Sequence, residues 1–185
     1  MGKYLTKTRR LFVRTKNVIV EPYNPKWKEE FERLKSYFES HVGSMIIGIE
    51  HVGSTSVEGL YSKPIIDLDM VIENYDRFDK VKNILEGLGY YHEGDLGIKG
   101  REAFEYEGKE DFLTHHLYVC PKDSQALRNH LAFRDHLRKN KYDRDMYGQV
   151  KSKAALDHPR NIDGYMKAKS HLILEIYEKH GLEVE

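Results

Sequence analysis

The chain has 185 residues, 39% hydrophobic and 32% charged, a length and balance that suit one globular domain with a heavily solvated surface. Its single cysteine, Cys120, excludes an internal disulfide framework, and no apolar run reaches the roughly 18 residues that a bilayer span needs. Formal net charge is zero but uneven, because residues 1–20 carry six basic side chains and no acid.

That basic start is followed by no apolar signal-peptide core, so the expected location is the cytoplasm, with no membrane partner. A basic arm, residues 1–17, is separated from a domain expected over residues 18–182. The arm can touch phosphates, but zero net charge and the lack of a base-reading motif count against a nucleic-acid partner.

In chain order, Val18-Ile19-Val20 reads as a short strand. Asn24 offers a side-chain cap, and Pro25 a suitable first position, for a helix with Phe31, Leu34 and Phe38 on one face, running to about Ser40. Met45–Ile49 is a β-type apolar run that delivers the chain to a helical turn at Gly53-Ser54-Thr55-Ser56.

The β-branched run Pro64–Ile72 predicts a buried strand, and a helix is expected from about Asp76 to Leu88, stopped by Gly89. Two more strands are predicted near Glu102–Tyr106 and Leu113–Cys120. From Asp123 the pattern is helical, with breaks at Asn140 and at His158-Pro159. The last helix places Ile162, Tyr165, Met166, Leu172, Ile173 and Ile176 on one packing face. Strands and helices mixed first and helices last make an α+β layout, with a mixed sheet, flanking helices and a C-terminal helical segment.

The chemistry concentrates on the middle strand. Side chains alternate faces, so Asp67 and Asp69 point the same way about 7 Å apart, with Ile66, Leu68, Met70 and Ile72 on the opposite, core face. Two carboxylates placed so repel each other, and a divalent cation would relieve the repulsion. With twelve residues between Ser54 and Asp67, Gly53-Ser54 ends the preceding strand, where free backbone N–H groups can hold phosphate oxygens.

These residues resemble the GrpB family of the nucleotidyltransferase superfamily. The resemblance covers roughly residues 18–180 and rests on Val20-Glu21-Pro22-Tyr23 with Trp27 and Phe31, on His51–Val57 with Gly59-Leu60, and on Lys63–Asp69. Gly100-Arg101, Thr114–Val119 and Phe133–Arg138 look like the later blocks. It implies that Ser54 contacts nucleotide phosphates while Asp67 and Asp69 hold magnesium, and that the reaction moves a nucleoside monophosphate from a nucleoside triphosphate to a small-molecule or protein acceptor.

One departure stands out: many relatives in that superfamily place a third carboxylate on a later strand, where this chain has His115 and His116. By alternation His116 is the site candidate. His130, Arg134 and Arg138 recur every four residues and align on one helix face. The expected catalytic set is Asp67, Asp69 and His116, and the expected phosphate-binding set is Gly53, Ser54, Thr55, Ser56, Lys63, Arg101, Arg134 and Arg138. Two other readings stay open: a nucleotide- or metabolite-binding protein without turnover, and a metal-dependent phosphoesterase using Asp67, Asp69, His115 and His116.

Overall fold

A computed structural model describes residues 17–181; the basic arm lies outside the described residues, apart from Asn17. The first helix, α1 (Lys26–Val42), forms where expected because Trp27, Phe31, Leu34, Phe38 and Val42 recur at helical spacing and are all buried. Asn24 Oδ1 accepts a hydrogen bond from the Lys26 amide at 3.1 Å, so the predicted side chain caps the helix start.

Five strands follow: β1 (Gly48–Val52), β2 (Ile66–Ile72), β3 (Tyr90–Gly94), β4 (Glu102–Tyr106) and β5 (His115–Pro121). They form one sheet in the order β1-β2-β5-β4-β3, in which β2 and β5 are parallel and every other pair antiparallel. Helix α2 (Phe78–Gly87), entered through a 3₁₀ turn at Tyr75–Arg77, connects β2 to β3. Its end is marked by Gly89 at φ 84°, a left-handed position that glycine adopts without a Cβ penalty. Helices α3 (Gln125–Lys139), α4 (Lys141–Asp157) and α5 (Ile162–Lys179) close the chain, with breaks at the predicted Asn140 and His158-Pro159.

The sheet is covered on both faces. One face buries Ile66, Leu68, Met70, Phe104, Leu117 and Val119 against α1 and α2, each such side chain contributing roughly 1.5–3 kcal/mol relative to exposure. The other face carries Val71, Tyr118 and Cys120 and packs against Leu127 and Leu131 of α3. A second cluster, Val57, Leu60, Leu137, Tyr147 and Ile176, fastens the three C-terminal helices to the segment that follows β1.

Several expectations need correction. Val18–Val20 is not a strand; the Val18 amide donates to the Pro159 carbonyl at 2.8 Å and its side chain packs on Ala154, Ala155 and Tyr165. The Met45–Ile49 run is split, with a 3₁₀ turn over Gly43–Met45 and pairing only from Gly48. Strand β3 was missed, since Tyr90-Tyr91-His92 shows no clear alternation of apolar and polar residues. On α5, Tyr165 and Ile176 are buried, whereas Met166 is exposed.

Candidate active site

Register builds the site. Parallel pairing sets Asp67 beside His116 and Asp69 beside Tyr118, and antiparallel pairing sets Val52 opposite Asp67 and Glu50 opposite Asp69. The two acids do share a face, as alternation requires, but that face is not solvent: Asp69 is fully buried under α3. The expected clean division into core and solvent faces therefore fails on this strand, because α3 covers the acid-bearing side.

Each acid meets an imidazole. His116 Nδ1 lies 2.8 Å from Asp67 Oδ1, and His130 Nδ1 lies 2.7 Å from Asp69 Oδ2. Mutual repulsion relieved only by a cation is thus not the arrangement found, since histidines already partner both carboxylates. Burial would raise the Asp67 carboxyl, but the His116 hydrogen bond, with the charges of His116, Lys169 and His130, holds it below its usual range.

Among the described residues, no three His, Cys, Asp or Glu side chains form a group able to hold a metal ion. Two carboxylates nevertheless suit magnesium, which commonly takes one or two of them and completes its shell with phosphate oxygens and water. One observation fits a cation in particular: Asp69 Oδ1 is enclosed by protein and, among the described residues, has no hydrogen-bond partner.

Gly53 explains how the turn comes so near. It holds φ 67°, and a Cβ built there would sit 2.0 Å from Asp67 Oδ2, so only glycine lets the backbone pass over the carboxylate. Ser54 follows, opening a 3₁₀ turn over Ser54–Ser56 and hydrogen-bonding the Tyr147 side chain from α4.

Ser54 and Asp67 line one cavity of about 190 Å³ together with His116, Lys63, Lys151 and Lys169. Three lysines from three parts of the chain converge there. Lys151 is buried and its ammonium reaches Ser62 Oγ at 3.2 Å. Among the described residues none of the three has a carboxylate within ion-pair distance. Burial pushes Lys63 and Lys169 below the ordinary lysine range and Lys151 well below it; Lys169 repels the other two, and Asp67 alone opposes the trend.

The remaining candidates scatter. Thr55 is buried, bridging His51 Nε2 at 3.1 Å and the Ile65 carbonyl at 3.0 Å, so it braces the turn. Ser56 Oγ donates to the Gly53 carbonyl and faces a separate cleft of about 630 Å³. Arg134 is engaged by Glu50, Asp135 and the His51 carbonyl, and Arg138 holds the Ser56 carbonyl at 2.9 Å. Arg101 stacks over the Tyr118 ring, 4.5 Å from its centroid. None of these arginines lines the lysine cavity.

His115 is a core residue, stacked on Tyr106 and hydrogen-bonded to Tyr90, with burial holding its imidazole down to about 4. It lies on the sheet face opposite His116 and cannot join a four-residue phosphoesterase site. Lys151, Lys169 and Tyr147 escaped sequence reasoning because they lie on α4 and α5, outside any motif. Glu93 and Glu105, on β3 and β4, also went unnoticed; burial, then repulsion from Glu105, raises the Glu93 carboxyl, and the charge of nearby His116 opposes the rise.

Comparison with known proteins decides the family: the model of the GrpB protein family matches residues 17–179. The chain belongs to the GrpB family. The crystal structure of conserved protein GrpB from Enterococcus faecalis superposes with a TM-score of 0.75 at 34% identity, covering 88% of this chain and 99% of that one. UPF0157 protein YqkA of Bacillus subtilis is 33% identical over 151 residues, which are 82% of this chain and 43% of YqkA, so this GrpB chain spans less than half of that relative. Cid1, solved in complex with its short product ApU, aligns with a TM-score of 0.50 at 12% identity over 71% of this chain and 42% of Cid1. That likeness concerns the fold, which is nucleotidyltransferase-like. No described helix is long and apolar enough to cross a membrane.

Proposed function

We propose that this GrpB protein binds a nucleoside triphosphate in the cavity between Ser54, Asp67 and the three lysines, and transfers its nucleoside monophosphate to a small-molecule or protein acceptor. The observation that carries this reading is the convergence of Lys63, Lys151 and Lys169 on a cavity whose one acid is Asp67. Three lysines drawn out of water with one carboxylate between them destabilise a fold, and a polyphosphate tail supplies the missing negative charge.

Each residue then has a task. The lysines hold the phosphate tail, and Tyr147 orients the Ser54 hydroxyl toward a phosphate oxygen. Asp67 and Asp69 would hold Mg²⁺ or Mn²⁺, which supplies charge neutralisation at the transferred phosphoryl group. His116 fixes Asp67 through Nδ1 and leaves Nε2 to take a proton from an acceptor hydroxyl.

Thermal melts and calorimetry with the four nucleoside triphosphates, with Mg²⁺ or Mn²⁺ and with chelator, test the reading. Wild type gains stability with at least one triphosphate, and Ser54→Ala and Asp67→Asn lose that gain; pyrophosphate release with a supplied acceptor establishes transfer. No stabilisation by any triphosphate overturns the proposal. A second reading, binding without turnover, is favoured by the commitment of one oxygen of each acid to an imidazole. Tight triphosphate binding with no pyrophosphate release from any acceptor would establish it instead.

A further inference from the structure

A second group of ionisable side chains lies away from that cavity, where the end of α3, the start of α4 and the end of α5 meet. His136 Nε2 is 2.7 Å from Asp143 Oδ2, and on the other edge of the same ring Nδ1 is 2.6 Å from His180 Nε2. Asp143 is almost wholly enclosed, and its other contacts are Asn140 Nδ2 at 3.2 Å and Lys179 Nζ at 3.9 Å. Its charge is therefore satisfied by hydrogen bonds and by Lys179, and it orients His136 so that Nδ1 faces outward.

The imidazole pair lines an open cavity of about 680 Å³, which Asp135 also lines. We propose that His136 Nδ1 and His180 Nε2 form a binding site for a nitrogen-preferring divalent metal such as Zn²⁺ or Co²⁺, distinct from the Asp67 and Asp69 site and independent of the nucleotide reading. A ring nitrogen anchored to a carboxylate, with its other nitrogen directed at a cavity, is the support that metal-ligating histidines commonly have. Two imidazoles on one zinc ion, with Zn–N bonds of about 2.0–2.1 Å, hold their nitrogens roughly 3.3 Å apart at a tetrahedral angle.

The observed pair is 2.6 Å apart, so loading requires a separation of less than an ångström. His180 can supply it: it is exposed, it caps the end of α5, and it precedes Gly181 at φ 60°. Water from the open cavity completes the shell. Asp135 on the cavity wall is paired with Arg134 and Arg138, and Lys141 is paired with Asp145.

The test is titration of the chelator-treated full chain with Zn²⁺ by calorimetry and with Co²⁺ by visible absorption. Wild type is expected to bind a saturable equivalent whose Co²⁺ spectrum carries imidazole-type ligand-field bands and which excess Mg²⁺ does not displace. Asp67→Asn retains it, as does His171→Ala, which alters an exposed histidine on the same helix. His180→Ala, a change at an exposed helix end that leaves the core untouched, weakens it at least tenfold. No saturable binding, or equal affinity in His180→Ala, overturns the proposal and leaves the pair as a hydrogen bond between helices.

Discussion

The two faces of the sheet use the same residue types to opposite ends. On the face covered by α1 and α2, His51 stacks on Phe31 with ring centroids 4.5 Å apart, and His115 stacks on Tyr106 at 4.2 Å. Among the described residues neither has a carboxylate in contact, and burial holds both near 4. On the face covered by α3, His116 and His130 each sit against an aspartate. Adjacent residues of one strand, His115 and His116, thus fall into different electrostatic worlds. Basic residues divide in the same way: Arg134 and Arg138 are engaged, whereas among the described residues Lys63, Lys151 and Lys169 have no carboxylate within ion-pair distance. What marks a candidate site is buried charge lacking a partner, not the residue type.

Acidification breaks the comparison on the largest scale. His51 and His115 have folded values of about 4 against 6.5 unfolded, so between those limits the unfolded chain takes up protons that the native chain refuses. The stability they contribute is present above about pH 6.5 and lost as pH falls toward 4, by on the order of 3 kcal/mol for each at full effect. Urea melts across that range should show the slope, and His51→Phe should flatten part of it.

Next in size is Gly53→Ala, where the added methyl meets the Asp67 carboxylate and the backbone keeps a positive φ. A loss of about 2–4 kcal/mol is expected from strain and overpacking combined, measurable as a lower urea midpoint at unchanged slope. Arg134→Met should cost about 1–3 kcal/mol by stripping hydrogen bonds from Glu50, Asp135 and the His51 carbonyl, while triphosphate stabilisation persists.

Lys151→Met should behave in the contrary manner. Removing a desolvated ammonium leaves the ligand-free protein within about 1 kcal/mol of wild type or above it, while triphosphate stabilisation falls at least tenfold in apparent affinity. Because the folded Lys151 value lies below 10.5, its destabilising effect grows as pH falls from about 10.5 toward the folded value, and that slope should vanish in the variant. If Lys151→Met destabilised the ligand-free protein while leaving the triphosphate response intact, the lysine would belong with the arginines as structural.

Local pattern was enough for much of the fold. Helical spacing from Trp27 to Val42, the apolar run through Ile66 to Ile72, the left-handed Gly89 and the breaks at Asn140 and His158-Pro159 are set by interactions within a few residues, and they stand in the structure. The Gly53-Ser54 turn and the shared face of Asp67 and Asp69 were legible for the same reason. What covers that face was not: burial of Asp69 and its contact with His130 depend on α3 crossing the sheet, 61 residues away in sequence. Lys151 and Lys169 meet Lys63 and Asp67 only because α4 and α5 fold back over the Ser54 turn. Spacing along a chain reports neighbours within one helix or strand, whereas a site's charge balance is a sum over groups that tertiary packing alone brings within range.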